Sequence, residues 1–409
     1  IYRFTGPVTE RIGSLIQQSA EHQGNVTEEL GAQVATAIEV LMRALDRADQ
    51  DQNRELLKDI QPKELYEAGL TLMMRLVVVL CAEERDLLLL GDPVYDANYA
   101  ISTMRSDLVG TDPAILSNRE EAWSRLLATF RLIFAGSDHP DIRLAALGGS
   151  LFDPDKYPFL EGRSKGSNWE AERASPLPID DRTVLLLLDA LQLFKGRKLS
   201  YKALDVEQIG HVYEGLLEQT AGRVTGTSLQ LKGSSQFKTP VVTVSEIEDL
   251  SSQNEKTLIN FLVEKTGRSE NAIINDLQKP LEKSEKGKLI TSCRGDTALA
   301  DRILPFSSII SLDPWGMPLV HQKDAIVLFR GMDRRESGSH YTPKSLTEKI
   351  VEETLSPVVF RGLSEGLDRK DWVLKSPEEI LDLKICDPAM GSGAFLVQVC
   401  RWLSERLVE

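Results

Sequence analysis

Apolar residues recur at helical spacing through the first third of the chain. Between Val26 and Ala48, the residues Leu30, Val34, Ala37, Ile38, Leu41 and Leu45 fall on one face, which predicts an amphipathic helix. Pro62-Lys63-Glu64 opens a second helix directed towards Leu90. Its stretch from Leu65 to Leu76 is apolar on most faces, the pattern of a helix central to a bundle, and Met73 and Met74 read as core residues. Trp123 to Phe134 and Thr183 to Phe194 predict further helices, as does Leu204 to Glu218, with Ile209, Val212, Tyr213, Leu216 and Leu217 on one face. The periodicity fades from Gly136 to Pro178, where Gly, Pro, Ser and Asp predict an exposed loop or linker. Farther on, Val241 to Val244 reads as a strand, and Asn254 to Glu264 and Asn271 to Leu277 as short helices. Thr266-Gly267-Arg268-Ser269-Glu270 between those helices has helix-turn-helix spacing with Ser269 as a cap.

These patterns divide the chain into a helical domain over 1–135, a linker over 136–178, a helical connector over 179–221, an insertion of uncertain fold over 222–333, and a different kind of segment over 334–409. In that last segment, Ile380, Leu381, Leu383 and Ile385 alternate as a buried strand would. Asp387-Pro388 turns the chain, and Gly391-Ser392-Gly393 leads into the apolar run that starts at Ala394. A strand, a glycine turn and a helix make a pocket of the nucleotide-binding type. Two glycines let the backbone approach a ligand, the free amides of the helix face it, and an acidic side chain at the strand's carboxyl end can contact it. The expected fold is therefore a mainly α N-terminal region followed by the start of an α/β Rossmann-like domain.

The 409 residues suffice for two or three domains, and 42% hydrophobic content is ample for packed cores. A net charge of -14 rules out a global basic field that would recruit nucleic acid, so any DNA contact must be a local patch. Lys195, Arg197 and Lys198 form one such patch, and Arg334 and Arg335 another. Cys81, Cys293, Cys386 and Cys400 are scattered, without zinc-ligand spacing or a disulfide framework, and a reduced, cytoplasmic compartment is expected. The apolar run from Leu70 to Ala82 is interrupted by Arg75 and falls short of the ~20 residues a membrane helix needs. His211 and the two methionines read as structural.

The string Asp387-Pro388-Ala389-Met390-Gly391-Ser392-Gly393-Ala394-Phe395-Leu396 closely resembles the S-adenosylmethionine-binding motif I of amino-group DNA methyltransferases. It lacks the third glycine and the basic residue of phosphate-binding loops. Upstream, His340-Tyr341-Thr342-Pro343 resembles motif X of the same family, and motif X ahead of motif I is the order of the gamma class of adenine methyltransferases. The helix Ile209-Gly210-His211-Val212-Tyr213-Glu214-Gly215-Leu216-Leu217 is similar to the region before the catalytic domain in fused restriction-modification methylases, including type IIG enzymes and the methylases of the BREX and DISARM phage-defence systems. The resemblance implies a Rossmann-like S-adenosylmethionine-dependent methyltransferase acting on adenine in double-stranded DNA, with other defence-system subunits as further partners. By the same resemblance, Asp387 lies near the methionine amine and Gly391 and Gly393 admit the cofactor, with Pro388 and Ala389 in the same turn. Tyr341, Thr342 and Pro343 close over the methionine tail, and Phe395 either walls the adenine side or packs the helix.

The family's catalytic Asn/Asp-Pro-Pro-Tyr/Phe tetrapeptide lies downstream of motif I, as does the acidic residue for the cofactor ribose. The sequence ends at Glu409, one helix past motif I, and contains no Asn-Pro-Pro or Asp-Pro-Pro string. The expectation is a truncated methyltransferase domain, a fragment of a longer enzyme, inactive alone and without catalytic or metal-binding residues of its own. Two other readings stand beside it. One is a Rossmann-like methyltransferase with a different substrate, such as protein glutamine. The other is a non-catalytic DNA-binding or assembly scaffold of a defence complex.

Overall fold

The computed structural model describes residues 12–194, 196–203, 219–234, 240–279, 283–330, 344–362, 366–390 and 393–408. The chain forms two compact units, one of residues 32–202 and 216–332, the other of 1–31, 203–215 and 333–409.

In the larger unit, the part of helix α1 (Ile12–Asp51) from residue 32 onwards buries Val34, Ala37, Ile38, Leu41 and Leu45 at the predicted spacing. Helix α2 (Pro62–Glu84) starts with proline at its first turn and is buried on most faces, so it is the core helix of the bundle. It is long and apolar enough to cross a membrane, a test that buried core helices also pass. Gly69 lets α2 approach α1, because a Cβ there would lie 2.8 Å from Met42 Cε. The bundle continues through α3 (Pro93–Asn98), α4 (Ile101–Val109), α5 (Pro113–Leu116) and α6 (Glu121–Ala135), the last burying Trp123, Leu126 and Phe130. Helix α7 (Asp181–Gln192) is capped by Asp180, which accepts from the Thr183 amide.

Two fully buried acids organise this bundle. Glu83, near the end of α2, accepts from Tyr95 Oη at 2.9 Å, from the Ile101 amide at 2.9 Å and from the Ser102 amide at 2.7 Å, and also from the Ser102 hydroxyl. It thereby supplies from a distance the cap that Ala100 cannot give α4. Asp49 accepts from the Leu57 amide at 2.8 Å and pairs with Arg54 at 3.2 Å, which closes the turn between α1 and α2.

The expectation of an exposed linker over 136–178 is corrected. The segment has little regular structure beyond the hairpin β1 (Ser137–His139) and β2 (Ile142–Leu144) and a 3-10 turn at Pro158–Glu161, yet it buries Phe152, Tyr157, Phe159 and Leu160. Polar side chains from the helices hold its irregular backbone. Arg75 donates to the carbonyls of Leu151 and Asp153 at 2.6 and 2.8 Å, and Trp123 Nε1 donates to Leu160 O at 3.3 Å. Arg163, its side chain fully buried, pairs with Asp155 and Glu161, both at 2.8 Å. Low periodicity here marks loss of regular hydrogen bonding, not loss of burial.

Residues 193–203 begin with a hairpin of β3 (Leu193–Phe194) and β4 (Arg197–Lys198). Beyond it, β5 (Gln219–Arg223) pairs antiparallel with β9 (Ile326–Arg330), and the strands β6 (Ser228–Gln230), β7 (Val241–Thr243) and β8 (Val320–His321) form a sheet of order β7-β6-β8. Helices α8 (Val244–Gln253), α9 (Glu255–Thr266), α10 (Glu270–Leu277), α11 (Lys283–Ser292) and α12 (Thr297–Ile303) belong with that sheet to a second core, which includes Leu229, Val242, Ile247, Leu262, Ile273 and Ile303. The α9–α10 turn matches the spacing read from the sequence. Gly267 takes a left-handed φ of 62°, and Ser269 caps α10 by accepting from the Ala272 amide.

In the smaller unit, α13 (Lys344–Val359) packs with α15 (Ala394–Val408) through a core that includes Val351, Leu355, Val359, Val399 and Trp402. A short ribbon of β10 (Phe360–Arg361) and β11 (Val373–Leu374) and the helix α14 (Pro377–Leu381) complete it. The strand expected from Ile380 to Ile385 is replaced by α14, a turn at Asp382 and residues without regular structure. A capping box between Ser376 and Glu379, with Pro377 at the first position, stabilises the helix start. No strand among the described residues lies beside this segment to pair with it, and Leu381 is 69% exposed. Local capping therefore decides the conformation in place of a ladder. Ile380 is buried in the core and Leu383 packs against it. Among the described residues every sheet is antiparallel, and no parallel Rossmann-like sheet is present.

Candidate functional site

Motif I is a turn running into the amino end of a 15-residue helix. Asp387, half-buried, accepts from the Ala389 amide at 3.0 Å through one carboxylate oxygen, an Asx turn that Pro388 favours by fixing its own φ. This bond fixes the side chain beside the turn, and the second carboxylate oxygen has no partner among the described residues.

Gly393 closes the turn. Its amide donates to Met390 O at 2.8 Å, and its φ of 81° lies in the left-handed region where a side chain is strained. Among the described residues, a Cβ built there would meet only Met390 Cγ, at 3.9 Å. Gly393 O accepts from the Val397 amide at 2.9 Å, and the amides of 394–396, in the first turn of α15, have no partner among the described residues. The partial positive charge of that turn suits a carboxylate or another electron-rich group. Phe395 is partly buried and packs against the core of the smaller unit. Gly391 and the motif X residues Tyr341, Thr342 and Pro343 lie outside the described residues.

These features fit S-adenosylmethionine in chemical type. The methionine end of that cofactor carries an ammonium, which suits the exposed side of the Asp387 carboxylate, and a carboxylate, which suits first-turn helix amides. Gly393, without a side chain, would admit its body close to the backbone.

Arg197 and Lys198 stand exposed on β4, while Lys195, Arg334 and Arg335 lie outside the described residues, as does the Leu204–Glu218 helix. At the helix-turn-helix spacing, Arg268 and Lys279 both pair with Asp276, so this turn has its cations partly neutralised. Among the described residues no cluster of His, Cys, Asp and Glu is placed to hold a metal ion.

Sequence reading missed a second concave site, lined by Arg43, Arg47, Arg294 and His321 in the larger unit. The one advance signal was a pair of arginines four residues apart, and so on the same side, of an amphipathic helix. Comparison with protein-family models, with curated proteins and with solved structures found no match.

Proposed function

We propose that this chain is part of a site-specific DNA methyltransferase that acts on the exocyclic amine of adenine in duplex DNA, within a cytoplasmic restriction-modification or phage-defence system. The observation that carries the reading is the 387–393 turn. It has an Asx-fixed aspartate, a left-handed glycine and the first-turn amides of a long helix, all within the string that resembles motif I. Bound S-adenosylmethionine would supply an electrophilic methyl group on sulfur. Asp387 would hold the cofactor's ammonium and the first turn of α15 its carboxylate, with Tyr341, Thr342 and Pro343 closing over that end. The adenine must leave the base stack to reach the methyl group, at a cost of a few kcal/mol. Its amine nitrogen would then bond to the methyl carbon as the carbon–sulfur bond breaks, and the amine would lose a proton. No Asn-Pro-Pro or Asp-Pro-Pro string occurs in these residues, so they provide the cofactor half of the reaction.

One observation favours the scaffold reading as the alternative. The described part of the smaller unit is built from helices and a short antiparallel ribbon, without a sheet to carry a substrate site. The two readings part in a methyl-transfer assay with the full-length protein, duplex DNA and tritiated S-adenosylmethionine. Labelled N6-methyladenine in the digested DNA is expected. Label on protein, or DNA binding with no label on DNA, contradicts the methyltransferase reading, and the latter result favours the scaffold.

A further inference from the structure

The cavity between α1 and the segments at 291–294 and 313–326 is about 510 Å³, within the usual range for small-ligand sites. Its positive groups are three arginines. Arg43 and Arg47 project one turn apart from α1, and Arg294 stands at the end of α11 with a left-handed φ of 55° that side chains rarely adopt. Arg43 forms no ion pair among the described residues, and its buried Nη1 has no hydrogen-bond partner; its one bond is a long contact of 3.4 Å from Nε to Glu39 O. Arg47 is exposed and also without an ion pair among the described residues. Burial disfavours the Arg43 guanidinium, and Glu39 and Asp313 offset that only through space, so an anion in direct contact would offset more of the cost.

Each nearby acid has a hydrogen-bond or ion-pair partner of its own. Asp46 pairs with Arg54 at 2.6 Å and accepts from the Ile326 amide at 2.9 Å, and Asp51 pairs with Arg294 at 3.1 Å. Asp313 accepts from the amides of Trp315 and Met317 at 2.8 and 2.9 Å. His321 adds no charge. Gln230 donates through Nε2 to Glu39 at 2.9 Å, so its carbonyl oxygen faces His321 Nε2 at 3.1 Å and that nitrogen carries the hydrogen, while burial and the neighbouring Arg43 keep the ring neutral near pH 7. Met317, Leu319 and Ile326 add an apolar wall.

We propose that this cavity binds a small phosphate ester of nucleotide size, with its phosphate held by Arg43 and Arg47, supported by Arg294, and its apolar body against Met317, Leu319 and Ile326. Guanidinium forks match phosphate oxygens in pairs, which is why arginine is favoured for this task. A free ester is favoured over DNA because the site is a concave cavity of small-ligand size, which an extended duplex cannot enter. The site lies wholly in the larger unit and is independent of the methyltransferase reading.

The test is calorimetric titration of ADP, and separately of inorganic pyrophosphate, into the 409-residue protein. Saturable binding of ADP is expected, with at least tenfold loss in Arg43→Gln and in Arg47→Ala, and with no change in Asp387→Ala. S-adenosylmethionine, which has no phosphate, should not compete. Arg47→Ala changes an exposed side chain without an ion pair, so its melting temperature should stay that of the parent and its loss of binding then reports on the ligand. Absence of saturable heat with either probe overturns the proposal. So does equal binding by both arginine variants, or binding shown only by a DNA duplex.

Discussion

Glu83→Gln perturbs the polar centre of the helical bundle while keeping shape and volume. In the native protein one carboxylate oxygen accepts from Tyr95 Oη and the Ile101 amide, and the other from the amide and hydroxyl of Ser102. Burial and the adjacent Glu83 carboxylate hold the Tyr95 hydroxyl far above its ordinary pKa, so it stays a donor at every accessible pH. Glutamine puts an NH2 group where one of those oxygens was, which turns two donors towards a third. The hydroxyl can rotate to another acceptor, but an amide cannot, and a buried unpaired amide costs ~1–3 kcal/mol. Loss of charge assistance on the remaining bonds adds ~1 kcal/mol, and the lower desolvation cost of a neutral side chain offsets part of it. The net expectation is a loss of ~2–3 kcal/mol, which at ~2–4 °C per kcal/mol lowers the melting temperature by roughly 5–10 °C. Urea unfolding followed by circular dichroism measures it. A double-mutant cycle with Tyr95→Phe should show ~1 kcal/mol of coupling, because the two side chains share a hydrogen bond. A Glu83→Gln protein within about 0.5 kcal/mol of the parent, the range of ordinary surface changes, would refute the assignment of Glu83 as the distant cap of α4.

Arg163→Ala should destabilise the larger unit by ~2–4 kcal/mol in the same urea experiment, because it empties the space of a fully buried side chain and leaves the buried Glu161 with Arg131 as its one remaining ion-pair partner among the described residues. Gly162→Ala should cost ~3 kcal/mol or more: the backbone there has a φ of 68°, and a Cβ would sit 1.8 Å from Ser175 O. His321 is held down to a pKa of about 4, first by burial and then by the positive Arg43. Its folded-state pKa lies below the unfolded value, so the unfolded chain binds the extra proton and stability falls as pH drops from ~6.5 towards ~4, by up to ~3 kcal/mol. His321→Gln should flatten the stability profile in that window, and an unchanged slope would assign it to other groups. Gly393→Ala should cost only ~1–2 kcal/mol, from backbone strain without overlap among the described residues, yet should weaken S-adenosylmethionine binding by crowding the turn.

How much of this was legible in the sequence depends on the range of the interactions. α1, α2 and α6 follow from apolar periodicity, and the α9–α10 turn from Gly267 and Ser269, because those signals act within a few residues. The packing of 136–178 was hidden: it depends on Arg75 reaching carbonyls at 151 and 153 and on Arg131 reaching Glu161, contacts that no local pattern encodes. Pairing of β5 with β9 joins Gln219 to Arg330 across more than a hundred residues and was equally hidden. Alternation at Ile380, Leu381, Leu383 and Ile385 suggested a strand, but alternation predicts a strand only where neighbours can complete its hydrogen bonds, and the Ser376–Glu379 capping box acts first. At the candidate site, the glycine turn and the helix that follows were readable from Asp387-Pro388 and Gly393. The arginine-lined cavity was not, since α1 supplies only one wall of it.

The central claim is that the 387–393 turn holds S-adenosylmethionine, and calorimetric titration of that cofactor into the longest form of the protein, beside the Asp387→Ala variant, tests it most directly. The account predicts saturable one-to-one binding that falls at least tenfold in the variant, the equivalent of ~1.4 kcal/mol or more for one charge-assisted contact, with the melting temperature of the variant unchanged. A folded protein that takes up no S-adenosylmethionine, or one whose affinity is the same with and without the Asp387 carboxylate, would contradict it.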